Sequence, residues 1–270
     1  MKLKDLLNRV SLRAAGERVG LDVQMVEGQV MCAARDPDDP RYCVDFIMPT
    51  MKMVEACRAE EFDFFQPWID AGKLTVEQMH HAAARYHVGK TKSGQSIFWM
   101  IDDMWDPLDA RIGDDSWMST LLKAREPLLS CWHPRHCLFG LHLLYSGSSA
   151  TRNLPKSFPA VGCNPTISIV ESEASAVVLS ELFPESIWMA YVSDTFLSID
   201  FFEPLMGCTV TIYPRTDPYM SNYLYFDELA AEVRKRYDIR ITVDALLEDH
   251  ATDDQKSRCI DLLDFLFAAL

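Results

Sequence analysis

Two spacings of apolar residues divide the chain. From residue 166 onward, short apolar runs at 166–170, 187–191, 209–213 and 239–243 read as strands. Between and after them, 173–183, 195–203, about 221–237 and 253–268 carry helical patterns. Strands that alternate with helices at this spacing predict an α/β architecture, a mostly parallel sheet with helices on both faces. Before residue 150 the pattern is that of an α+β region. Leu3, Leu6, Leu7, Val10, Ala14 and Val19 place a helix over 2–19. Residues 23–26 and 29–32 flank Glu27-Gly28 as a β-hairpin, 36–40 is a loop, and 41–48 reads as a further strand. Residues 51–84 are mostly helical, with breaks near Pro67 and Gly72. A second hairpin pairs 86–89 with 95–101 around the turn 90–94, and 137–145 reads as a short apolar helix. Residues 146–165, rich in Ser, Pro, Gly and Asn, form the linker. The expected domains are therefore 1–150 and 160–270.

Composition narrows the function. The 270 residues are 49% hydrophobic and 24% charged, enough apolar mass for a core, which excludes a disordered chain. The net charge is −14, unevenly placed: 161–270 holds 19 acids against 7 bases, 1–160 holds 21 against 19. A protein that coats nucleic acid by bulk charge is excluded, since that needs many Lys and Arg contacts to phosphate; a local basic groove is not. No run approaches the roughly 20 apolar residues that span a bilayer. The N-terminus has no signal-like apolar region, so a cytoplasmic protein with no membrane partner is expected. The eight cysteines, thiols or metal ligands, form no Cys-x-x-Cys pair, and most sit beside apolar neighbours and read as small buried hydrophobes.

In a parallel α/β unit, ligands bind at the carboxyl ends of the strands. The first strand there runs into Glu171-Ser172-Glu173 and the third into Arg215-Thr216-Asp217. Carboxylates after neighbouring strands are the ligands a hard cation such as Mg2+ takes. Val170-Glu171-Ser172-Glu173 after a strand, and a later strand ending at the Asp-x-Asp position, resemble the TOPRIM domain of primases, topoisomerases and some nucleases. The pieces 97–102, 137–144, 187–190, 212–214 and 261–266 are similar to those of TOPRIM-like, primase-core-like proteins of bacterial mobile elements. The resemblance covers roughly residues 80–268. It implies Glu171 and Asp217 as remnant catalytic acids, with Arg215, Glu173 and Asp194 on the rim. The pattern departs at three places: Arg215 stands where the family has the first Asp, Ala174 where it has Lys, and Val192-Ser193 where it has Gly-Gly. A decayed metal site is thus expected, with no resident metal and no cofactor. Residues 1–48 resemble the zinc module that precedes the primase core, but Ala33-Ala34-Arg35 follows Cys32, so the His of its Cys-x-x-His pair is missing and no zinc is expected.

Lys90 and Lys92 at a hairpin tip, with Phe98 and Trp99 nearby, are the candidates for touching a phosphate backbone and stacking a base. The loop Cys131 to Cys137 offers two Cys and two His, and His80-His81 reads as helix surface. Three functions follow. One is a non-catalytic primase-like protein that binds single-stranded nucleic acid or a replication protein. The second is an active Mg2+-dependent nucleotidyl transferase or nuclease, with Glu171 as general acid or base, Asp217 on the metal and Asp194 replacing the missing acid. The third is an acidic protein-interaction module.

Overall fold

The computed structural model describes residues 30–35, 43–47, 49–113, 116–117, 136–145, 165–192 and 197–269. The expected helix at 2–19, the hairpin arm 23–26, the loop 36–40 and the linker up to residue 164 lie outside them. The chain divides into two compact units, one drawn from 1–62 and 83–136, the other from 63–82 and 137–270.

In the first unit, β1 (Val30–Arg35) pairs antiparallel with β2 (Cys43–Ile47). The strand expected at 29–32 is thus present as β1 and pairs with the following strand. Helix α1 (Met51–Ala56) is opened by Thr50, whose Oγ1 accepts the Met53 N–H at 3.3 Å. Four antiparallel strands follow in spatial order: β3 (Gly89–Lys90), β4 (Ser96–Ile101), β5 (Pro107–Ile112) and β6 (Ser116–Trp117). β4, Ser-Ile-Phe-Trp-Met-Ile, is buried on both faces, which explains its unbroken apolar run. The β3–β4 hairpin stands where the sequence placed one, but its first arm is 89–90, not 86–89: residues 86–88 lie outside any strand and Lys90, expected in the turn, pairs with Ser96. Gly89 is required where it stands: a Cβ there would lie 2.8 Å from the Cys57 carbonyl oxygen, the group that accepts the Lys90 N–H at 2.9 Å.

The second unit begins with a 3-10 turn (Asp63–Phe65) and α2 (Gln66–Asp70). Pro67 sits in the first turn of α2, where it opens the helix and does not break it. Within α3 (Val76–Arg85) the chain passes from one unit to the other. The parallel sheet is built from β7 (Thr166–Val170), β8 (Ile187–Ala190), β9 (Thr209–Ile212) and β10 (Arg240–Val243), in spatial order β10-β9-β7-β8. All three pairings are parallel, in register Ile169↔Met189, Ile169↔Ile212 and Ile241↔Val210. The four apolar runs are thus the four strands. Their core residues Ile167, Ile169, Met189, Val210 and Ile212 are fully buried; each contributes about 1.5–3 kcal/mol by leaving water.

Helix α4 (Glu173–Leu182) follows β7, with Ala176, Val177, Val178 and Leu179 buried in succession. A 3-10 helix (Ile199–Leu205) stands where 195–203 was read as helical. Helix α5 (Ser221–Arg236) turns Phe226, Ala230 and Val233 inward. The helix expected at 253–268 is instead two, α7 (Asp253–Ser257) and α8 (Leu262–Ala269), preceded by α6 (Leu246–His250). The break has a cause: Cys259 adopts φ 52°, and the Ile260 carbonyl leaves helical bonding to accept the Thr216 N–H at 3.0 Å. Residues 137–145, placed by the sequence with the α+β region, belong to this unit. Leu138, Leu141 and Leu144 are buried in its core, and Phe139 exchanges two backbone hydrogen bonds with Ala190 at the β8 edge. Among the described residues, no helix is long and apolar enough to cross a membrane.

Candidate functional site at the carboxyl end of the parallel sheet

The sheet order makes β7 and β9 adjacent, so the segments after them, 171–175 and 213–217, leave the sheet side by side. Glu171 follows β7 directly, and its carbonyl accepts the Val192 N–H at 3.0 Å. Ser172 caps α4, its hydroxyl accepting the Ser175 N–H. Glu173 is buried in the first turn, where the positive end of the helix favours a carboxylate. Across from them, Arg215 Nη1 lies 3.1 Å from Glu171 Oε1, with the two side chains 42% and 24% exposed. Half in water, such a pair is worth only about 0–1 kcal/mol to the fold.

Asp217 does something else. Its Oδ1 accepts the Tyr219 N–H at 2.8 Å and its Oδ2 accepts the Asn222 N–H at 2.9 Å. Burial resists ionisation, but the N–H groups of Asn222, Tyr219 and Ser221 outweigh it and hold the carboxyl below the usual aspartate range. The acid read from sequence as a metal-ligand remnant therefore supports the start of α5.

A further layer closes over these segments. Thr216, fully buried, donates its hydroxyl to Glu248 Oε1 at 2.9 Å, and Lys256 Nζ lies 3.6 Å from Glu248 Oε2. Ser175 Oγ donates to Asp261 Oδ2, while Asp261 Oδ1 accepts the Asp264 N–H at 2.9 Å. Burial pushes the Asp261 carboxyl up, the nearby Asp264 charge adds to this, and the Asp264 and Leu263 N–H groups with the Ser175 hydroxyl pull against it. Sequence reasoning missed Ser175, Thr216 and Glu248. A polar Thr between an Arg and an Asp carries no signal of a buried bond to a residue 32 positions away.

The acids of the rim are engaged within the chain. Glu171 is held by a guanidinium, and both Asp217 oxygens are turned to backbone donors. Among the described residues, no three His, Cys, Asp or Glu side chains are grouped as a metal site. Asp194 lies outside the described residues, as do 131–135 of the Cys/His loop. His136 from that loop has Nε2 3.1 Å from the buried Asp109 Oδ2 on β5. His81 Nδ1, on α3, lies 2.7 Å from Glu181 Oε1 on α4; the His side chain is exposed and the Glu side chain is largely covered.

The three residues expected to touch nucleic acid are not brought together. Lys92 is exposed, whereas Lys90 is half-buried with Nζ 5.7 Å from the Phe62 ring centre. Trp99 is fully buried, facing Ala110 across the β4–β5 pair. Its ring offers no face to a base, which corrects the stacking role read from the sequence: it belongs to the core of the antiparallel sheet.

The fold and rim define an α/β protein with a parallel-sheet unit whose strand-end crevice contains an internal ion pair. It belongs to the family described as domain of unknown function DUF6371, whose model matches residues 64–216. The match takes in Glu171 and Arg215 and stops one residue before Asp217. Similar solved structures include the DnaG catalytic core, at 14% identity over 77% of this chain and 76% of that one, with TM-score 0.40. Another is the DnaG primase catalytic domain bound to ssDNA, at 14% identity over 80% of each chain and TM-score 0.41. A third is a DNA primase domain from Pseudomonas aeruginosa, at 14% identity over 75% of this chain and 65% of that one, with TM-score 0.33. No curated protein matches the chain.

Proposed function

We propose that this is a primase-related, TOPRIM-like protein of a bacterial mobile element that works without metal-dependent phosphodiester chemistry. It associates with single-stranded nucleic acid or with a replication partner. The reading is supported above all by Arg215, whose guanidinium meets Glu171 at 3.1 Å where the resembled pattern has an aspartate. A guanidinium is always charged, so it neutralises Glu171 at every working pH and takes the place a divalent cation would fill. The alternating strands and the Glu-Ser-Glu run after the first of them support the relationship itself.

Calorimetric titration with Mg2+ and Mn2+ tests the reading, on the wild type and on Arg215→Asp. The substitution removes the internal cation and adds a carboxylate next to Glu171. The wild type is expected to give no binding heat, and the variant to gain saturable binding. Tight Mg2+ binding by the wild type sinks the reading and favours a Mg2+-dependent nucleotidyl transferase or nuclease. If neither protein binds, Arg215 is not a substitute for the metal.

A further inference from the structure

Seven large apolar side chains stand exposed among the described residues, and four of them fall within 219–225. They are Tyr219 at 83%, Met220 at 41%, Leu224 at 55% and Tyr225 at 39% exposure. Random scatter of surface apolars does not gather more than half of them into seven consecutive residues. The backbone holds them there. Met220 adopts φ 57°, a left-handed conformation that is strained for a non-glycine residue, and Asp217 fixes the adjoining Tyr219 and Asn222 N–H groups.

The stripe continues along α5. Met220, Leu224, Glu228 and Glu232 are spaced four apart and so share a face, opposite the inward Phe226, Ala230 and Val233. Asp227, Glu228 and Glu232 are exposed and make no ion pair among the described residues. The face is thus apolar and aromatic at one end and acidic further on, on a segment with 19 acids against 7 bases over 161–270. Arg234 and Arg236, at the far end of the helix, are engaged with the Ile241 carbonyl and Asp200.

We infer that this face of α5, with Tyr219 in the turn just before it, docks a basic, partly apolar segment of a partner protein, with its apolar side chains on Tyr219 and Leu224 and its Lys or Arg on Glu228 and Glu232. The charge selects the occupant. Phosphate would be repelled by the acidic half, and a second copy would bring −14 against −14. A basic segment satisfies both halves, the apolar end supplying affinity and the acids orientation. The inference stands on α5 alone and does not depend on whether the Arg215 rim binds a metal.

The test is fluorescence anisotropy on the full chain at about 150 mM salt. The probes are a labelled helical Leu/Lys peptide of about 18 residues and its Leu/Glu counterpart. The wild type is expected to bind the Leu/Lys peptide and not the Leu/Glu one. The pair Tyr219→Ser and Leu224→Ser should weaken binding about tenfold or more, as should Glu228→Gln with Glu232→Gln. The exposed control pair Glu60→Gln with Glu61→Gln should stay within about twofold, and circular dichroism checks that all variants fold. The inference is overturned if the wild type does not bind, if the control weakens binding equally, or if the Tyr219/Leu224 pair changes nothing. It also falls if the wild type sediments as a dimer that Leu224→Ser splits, since the face then belongs to a second copy.

Discussion

Replacing Asp217 by alanine separates support of a helix from remnant catalysis, because the two roles predict different readouts. The carboxylate accepts two backbone N–H groups at 2.8 and 2.9 Å and is itself only 8% exposed. Loss of a capping side chain costs about 0.5–2 kcal/mol, and a buried donor left without an acceptor costs about 1–3 kcal/mol. Relaxation of Met220 from its left-handed conformation, worth about 1 kcal/mol, offsets part of this. A net loss of about 1–2 kcal/mol is expected, roughly 0.5–1 M in urea midpoint for a slope near 2 kcal/mol per molar. Asp217→Asn keeps one acceptor oxygen and should lose less. Hydrogen exchange at the Tyr219 and Asn222 amides should speed up together in Asp217→Ala. The pH dependence carries a definite sign. The folded carboxyl sits below its ordinary value of 3.8, so its contribution is fully present above that value and is lost as pH falls through the folded pKa. The gap between wild type and Asp217→Asn should hold constant from pH 7 to about pH 5 and close only below about pH 4. An unchanged urea midpoint for Asp217→Ala, or a gap that closes between pH 7 and 5, refutes the assignment.

Two other outcomes are expected. Asp261→Asn should raise the melting temperature at pH 7, because burial pushes the native carboxyl up and its ionisation opposes folding. A group with a raised folded pKa gives its stability below the unfolded value and loses it as pH rises, so the gain should vanish below about pH 4; a drop in melting temperature at pH 7 contradicts this. Gly89→Ala should destabilise the first unit by about 1–3 kcal/mol in a denaturant series, since its new Cβ meets the Cys57 carbonyl at 2.8 Å; a neutral result would mean that the α1 end shifts freely.

How far the sequence could be read depended on the range of the interactions that decided each element. The four parallel strands were legible because each is a compact apolar run followed by a helical period, a purely local pattern. β5 was not, because Pro107 opens it and Asp109 lies in it; the partners of the Asp there include the Ala110 N–H and His136, 27 residues away. The single helix read at 253–268 failed for a similar reason, with Ile260 diverted to the backbone of Thr216. At the rim, Glu171 and Arg215 were legible as residues following adjacent strands. Asp217 was visible as an acid, but its use as a backbone acceptor depends on how the chain turns into α5. The Ser175–Asp261 contact joins residues 86 positions apart and leaves no local trace.

The strand order also bears on how the protein emerges from a ribosome. β8 lies against one side of β7, β9 comes to the other side, and β10 attaches to β9, so each newly made strand meets an edge already available. Growth by accretion of this kind needs no strand inserted between two existing ones. The polar links from Glu248 to Thr216 and from Asp261 to Ser175 are supplied only by the segment made afterwards. A nascent chain halted after residue 245 would hold all four strands with the polar groups of Ser175 and Thr216 still facing water. Translation of the next sixteen or so residues is then the step that seals the crevice, which makes the order of synthesis part of how the site is assembled.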